Sequence, residues 1–305
     1  MEIYLPVAQL AVNSFVLLGI GLAVGFLSGM LGVSGGFITT PLLIFYGIPS
    51  GIAVASQASP IAAASLVGAI RQGGKKSVDY KMGLWLLAGG LTGSAVGVGI
   101  FRLLQQIGQI DFTIKLCYLI LLGTIGSLML TESVQAIRAA RKGRRIERRP
   151  GQHTWIHRLP FKMRFYRSAL YISVIPVVVL GFMVGVMTAI LGTGGAFILI
   201  PAKVYLLRMR TTLAIGTSQF QMFIVACMAT VMHSAIDHTV DIVLSLILVI
   251  GGVIGAQFGV RAGARLRAEE LRTALALLII AIAARLFYEM VVTPSDLFSV
   301  ISAQG

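Results

Sequence analysis

Charge is scarce in this chain. Only 12% of its 305 residues are Asp, Glu, Lys or Arg, about half the share of a soluble globular domain. With a mean hydropathy of +0.90, its natural solvent is lipid. A soluble enzyme, a disulfide scaffold, a disordered tail and a free nucleic-acid binder are all excluded. Acidic residues are the rarer sign, 11 against 25 Lys and Arg, for a net charge of +14. That excess does not describe a nucleic-acid surface, because 11 of the 25 cations fall between Arg138 and Arg167. In a membrane protein such a run marks the cytoplasmic side. Cysteine is nearly missing. Cys117 and Cys227 lie far apart in apolar stretches, which excludes a disulfide framework and a cysteine metal site. The first residues, from Glu2 onward, lack the positive segment of a cleavable signal peptide. The first apolar stretch is therefore expected to stay as a span.

What is abundant is apolar sequence. A bilayer-crossing helix needs about 20 apolar residues. Stretches occur near 11–31, 36–46, 52–70, 84–104 and 112–133, then near 169–190, 196–207, 212–236, 242–262 and 272–292. Eight are long enough to cross; 36–46 and 196–207 are short. Lys and Arg cluster after the third, fifth, seventh and ninth stretches. Counting every stretch as one crossing puts all four clusters in the cytoplasm and both termini outside.

The sequence also repeats itself. Leu31, Gly32, Gly35, Phe37, Ile38 and Pro41 recur 160 positions later as Leu191, Gly192, Gly195, Phe197, Ile198 and Pro201. Ser56-Gln57 recurs as Ser218-Gln219 at an offset of 162, as do Gly89, Gly90, Gly93 and Gly97 as Gly251, Gly252, Gly255 and Gly259. The expectation is an all-α membrane protein of two five-stretch repeats, about eight full transmembrane helices plus two short broken ones. The first repeat is 1–137, a basic cytoplasmic linker is 138–168, and the second repeat is 169–305. Five is odd, so the second repeat enters the membrane from the opposite side. Inverted repeats of this kind characterise secondary transporters.

The glycine clusters mark the expected site. A 12-residue helix is about 18 Å long, against a hydrocarbon core of about 30 Å. One end of each short helix then stops at depth, where irregular backbone is tolerated only if buried in protein or lining a wet cavity. The helix beginning at such a break presents unpaired N–H groups and its positive dipole end, which suits an anion. Candidate binding residues are Gly32, Ser34, Gly35 and Gly36 in the first break, and Gly192, Thr193, Gly194 and Gly195 in the second. Ser56, Gln57, Ser218 and Gln219 are expected to complete the shell with neutral donors, beside Ser59, Thr217 and Gln221. The two breaks are expected to converge on one cavity. The four-residue glycine ladders, by contrast, read as close helix packing.

Other polar residues carry alternatives. Gly32-Val33-Ser34-Gly35 matches the GxSG of a membrane-embedded hydrolase, but the second copy keeps glycines and no serine, so no catalytic residue is assigned. His233, Asp237, His238 and Asp241 read as a solvated helix end in preference to a metal or proton-relay site. Arg285 and Glu289 read as an i, i+4 pair. Lys203 either snorkels to the interface or sets a positive charge by the pathway. Trp155, Phe161, Phe165 and Tyr166 among the cations of 138–168 suggest an interfacial helix on anionic lipid headgroups, in preference to nucleic acid. No cofactor and no metal are expected.

The duplicated glycine-Phe-Pro pattern, followed by a small-polar cluster and then GGxxGxxxG, resembles the TauE/SafE family of sulfite and organosulfonate exporters over about 10–292. The resemblance implies a non-enzymatic permease of the bacterial inner membrane. Its substrate would be a small anion such as sulfite or sulfoacetate, moved by alternating access, with an anion channel as the alternative. Proton coupling, facilitated export and uniport all stay open.

Overall fold

The computed structural model describes residues 2–31, 35–74, 77–141, 161–165, 167–168, 170–207, 209–263 and 268–292. A two-stranded hairpin, β1 (Glu2–Leu5) and β2 (Leu10–Asn13), precedes five helices: α1 (Ser14–Leu31), α2 (Gly36–Phe45), α3 (Ser50–Gly74), α4 (Tyr80–Gln106) and α5 (Ile110–Arg141). A second hairpin, β3 (Lys162–Phe165) and β4 (Leu170–Ser173), precedes α6 (Val174–Leu191), α7 (Ala196–Pro201), α8 (Thr211–Met232), α9 (Ile242–Gly263) and α10 (Ala268–Val291). Helix α7 runs on into a π-turn, Ala202–Leu206, and α8 into another, His233–Asp237.

This is an all-α membrane architecture. Among the described residues seven helices are long and apolar enough to cross a bilayer, while Ser14–Met30 and Gly36–Phe45 are apolar and shorter. The ten helices match the ten apolar stretches to within a few residues at most ends. The hairpins were not expected. Residues 161–168, read as the end of a basic linker, instead supply a strand and turn, with Phe165 fully buried. The interfacial-helix reading therefore fails at Phe161 and Phe165, and its remainder, 142–160 and Tyr166, lies outside the described residues.

The order hairpin, long helix, short helix and three long helices occurs twice. The hairpins share one register: Glu2 faces Asn13 in the first, and Lys162 faces Ser173 in the second. Helix α1 packs on α9 and α6 on α4, while α3 packs on α8 and α5 on α10. Those pairings are unchanged when the two sets are exchanged.

Glycine makes the two tightest pairings. A Cβ on Gly93 would stand 2.1 Å from the Phe182 carbonyl oxygen, and one on Gly255 would stand 2.1 Å from that of Leu22. Gly89, Gly181 and Gly185 in α4/α6, and Gly25 and Gly259 in α1/α9, meet facing backbone just as closely. Between helices that share a lipid solvent, such close approach supplies dispersion contact where no hydrophobic drive exists.

Each fourth helix of a set is capped by an aspartate that also grips the other set's hairpin. Asp79 accepts from the Met82 amide at 3.2 Å, and its other oxygen accepts from the Ser168 amide at 3.1 Å. Asp241 accepts from the Leu244 amide at 3.1 Å and from the Val7 amide at 3.1 Å. Both carboxylates are buried. A buried carboxylate is tolerable when cap and turn amides fill its lone pairs.

Candidate functional site

The helix α1–α2 break and the α6–α7 break lie against each other. A Cβ on Gly36 would stand 2.9 Å from the carbonyl oxygens of both Gly192 and Thr193, and 2.6 Å from Ile61 of α3. One on Gly192 would stand 2.7 Å from the Val54 carbonyl oxygen, also of α3. Helix α3 thus touches both breaks.

The backbone of the second break explains its glycines. Gly192, Gly194 and Gly195 have φ of 61°, 69° and 52°, the left-handed region that L side chains avoid. Helix α7 starts from Gly195, whose carbonyl accepts from Ile198 and Leu199. Helix α2 starts in the same way from Gly35, whose carbonyl accepts from Ile38, Thr39 and the Thr39 hydroxyl. Gly32 and Ser34 lie outside the described residues.

Ending α6 at depth leaves orphan carbonyls. Three of the last four find partners. Thr188 O takes the Gly192 amide at 2.9 Å, Ala189 O takes His233 Nε2 at 3.0 Å, and Leu191 O takes the Tyr118 hydroxyl at 2.5 Å. Tyr118 is fully buried in α5 and also lies within hydrogen-bonding reach of Thr40 in α2. It therefore connects the short helix of one set to the break of the other. Sequence reasoning missed it. The available signal was a tyrosine inside an apolar run, whose hydroxyl needs a partner when buried.

A cavity of about 50 Å³ opens beside the first break, between α1, α2, α3 and α9. Its polar lining comes from Ser28, Gly35, Gly36, Thr39 and Gln57. Gln57 is 4% exposed, and its Oε1 has no partner. The remaining wall is apolar, with Val24, Ile61 and Leu248. The space suits about three waters or one small polyatomic ion.

Of the expected shell, Gly35, Gly36 and Gln57 meet in this cavity. Gly192 and Thr193 stand against Gly36 with their carbonyls rather than their amides. Gly194 and Gly195 belong to the second break and do not line the cavity. Ser56 is used elsewhere: its hydroxyl accepts from the Asp241 amide at 2.9 Å, and its carbonyl accepts from the Ser245 hydroxyl. Ser218 accepts from Lys203 Nζ at 3.0 Å. Gln219 packs against Gly68 of α3. The nearby Gln221 amide donates to the Leu86 carbonyl at 3.2 Å, and Thr217 accepts from the Asp79 amide at 3.0 Å.

One of the two alternatives for Lys203 is excluded, and one further reading needs correction. Lys203 does not snorkel to the interface. Its side chain is fully buried in the π-turn after α7, with Asp79 as its electrostatic neighbour. The residues from His233 to Asp241 are not a solvated helix end either. His233, Thr239 and Asp241 are buried, while Ser234, Ala235, Ile236 and His238 are exposed. The continuation of α8 as a π-turn carries His233 inward, where Nδ1 stands 3.0 Å from Asp237 Oδ2. No group of three metal-ligating side chains occurs among the described residues. Arg285 and Glu289 do pair, at 3.7 Å on a partly exposed face, with the guanidinium 4.4 Å from the Phe45 ring centroid.

Residues 17–286 match the family model described as sulfite exporter TauE/SafE. The chain is 25% identical over 236 residues to a probable membrane transporter protein, YunE, of Bacillus subtilis (strain 168), covering 74% of this chain and 80% of that protein. It is 27% identical over 230 residues to a probable membrane transporter protein of Xylella fastidiosa (strain 9a5c), covering 74% and 77%. No solved structure gives a significant match.

Proposed function

This chain belongs to the sulfite exporter TauE/SafE family, a family of membrane transporters, and we propose that it is a permease moving a small sulfur-containing anion, sulfite or a short sulfonate, out of the cell by alternating access. The observation that carries the reading is the cavity at the first break. It adjoins the start of α2, is walled by apolar side chains, and contains a buried amide, Gln57, with an unsatisfied oxygen. A helix start offers amide donors and a positive dipole end. In an apolar wall these act at low dielectric, so a single negative charge is attracted without a fixed cation. The Gln57 amide can turn to present its NH2 group to an anion. Neutral donors favour release as well as binding, which a transporter needs.

Alternating access has its own support. The two sets exchange their packing partners symmetrically, and the breaks meet where the sets meet. Counting each set as five crossings would invert the second relative to the first, in the orientation that puts the basic clusters in the cytoplasm of a bacterial inner membrane. The cations of 138–168 would then lie near anionic lipid headgroups.

The test is flux in proteoliposomes with labelled sulfite and with sulfoacetate. Saturable flux that falls at least about ten-fold in Gly36→Val, which closes the 2.9 Å approach to Gly192 and Thr193, is the expected result. A non-saturating single-channel conductance would assign an anion channel instead.

A further inference from the structure

A neutral imidazole carries one N–H and one lone pair. The ring of His233 faces two acceptors. Nε2 stands 3.0 Å from the carbonyl oxygen of Ala189, and Nδ1 stands 3.0 Å from Asp237 Oδ2. With a single ring proton, one of these contacts would set lone pair against lone pair. A second proton, on the ring or on the carboxylate, would satisfy both contacts at once. Both side chains are 1% exposed.

The surroundings isolate the pair. Helix α6 offers the Ala189 carbonyl and α4 offers the Phe101 ring, whose centroid is 4.6 Å away at an interplanar angle of 70°. Among the described residues the one charged side chain in contact with His233 is Asp237. The other carboxylate oxygen, Oδ1, is buried without a partner. Ionisable side chains inside a span are expensive, and they mark proton and ion pathways. The span that holds this pair runs Thr212–Asp237.

We propose that His233 and Asp237 form the binding site for a coupling proton, and that its occupancy is linked to the α6–α7 break through the carbonyl of Ala189. Ala189 lies three residues before Gly192, within the turn that ends α6. Protonated, the pair is neutral overall, and the imidazolium donates to both partners. When the proton leaves, the pair carries one net negative charge, and either the bond to Ala189 or the bond to Asp237 is lost. Loss of the first releases an orphan carbonyl beside the break. The residual negative charge also disfavours an anion near the two breaks. Proton and anion therefore bind together and move together. The direction of net flux then follows the combined anion, proton and voltage gradients.

This inference rests on the transport reading above, and its test separates the two. The full-length protein is reconstituted with the wild-type pair, with His233→Gln and with Asp237→Asn. Two modes are measured: exchange of labelled for unlabelled sulfite at equal pH, and net sulfite flux driven by an imposed pH gradient. The wild type should perform both. Asp237→Asn, which removes the negative charge, should keep exchange within about two-fold, which also certifies its fold, and should lose gradient-driven flux at least ten-fold; His233→Gln, which leaves the Asp237 carboxylate unpaired, should lose both gradient-driven flux and exchange. Wild-type protein should also acidify the vesicle lumen as sulfoacetate enters, read by an entrapped pH dye; this arm needs no variant. Variants that retain gradient-driven flux, or wild-type entry without acidification, would overturn the proton site and leave the transporter standing. Wild-type protein that exchanges neither anion would overturn both.

Discussion

A few buried side chains hold the ends of α6 and α2 in place. Tyr118 donates to Leu191 O and lies beside Thr40, so it ties the second break to the first short helix. Replacing it with phenylalanine keeps the packing and removes the donor. A buried carbonyl left unpaired costs about 1–3 kcal/mol. Tyr118→Phe should therefore lower the thermal midpoint in detergent while leaving the helical circular dichroism unchanged. An unchanged midpoint would mean that the Leu191 carbonyl finds another donor. Residue roles of this sort were the least legible part of the sequence. The Ser-Gln pairs recur, yet the packing around the copies differs. Gln57 faces the cavity while Gln219 lies on Gly68. Position 43, the counterpart of Lys203, is a leucine, so the repeat gave no hint that a buried lysine would claim Ser218.

Elements are specified more plainly. The glycine ladders predicted close packing, and the structure puts their α-carbons against the backbone of a facing helix. Gly93→Ala should separate α4 from α6 and cost about 3 kcal/mol or more, the upper range for overpacking. Gly99→Ala, on the same helix with nothing within 4 Å, should be neutral or stabilising by up to about 1 kcal/mol through helix propensity. Equal melting shifts for the two would contradict the packing account. Asp79→Ala removes the α4 cap and the grip on the second hairpin together. A loss of about 2 kcal/mol is expected, a cap contributing up to about that much alone, with earlier proteolysis at the hairpin. The hairpins themselves were not legible. Their strands are only four residues long and merge into apolar runs, and period-two alternation is faint at that length. The π-turns were equally hidden, since an added residue shows only as a shift of an apolar stripe, and spans that are apolar on nearly every side have no stripe to shift.

For the whole molecule, the duplicated motif, the odd number of stretches and the cation clusters lead to two sets of five helices, and the set-exchanging packing agrees with that duplication. The cytoplasmic placement of the basic clusters rests on a bilayer-scale rule, whereas the identity of the residues that meet at the centre depends on side-chain packing that no repeat dictates. The central claim is that the cavity beside the first break is where the anion binds, so the two glutamines separate the alternatives most directly. Calorimetric titration of sulfite into purified wild-type, Gln57→Leu and Gln219→Leu proteins tests it. Loss of one hydrogen bond to a charged group corresponds to about 1.5–3 kcal/mol, roughly a ten-fold or greater loss of affinity. The prediction is that Gln57→Leu weakens sulfite binding by at least ten-fold while Gln219→Leu stays within about two-fold of wild type; unchanged affinity in Gln57→Leu would contradict it.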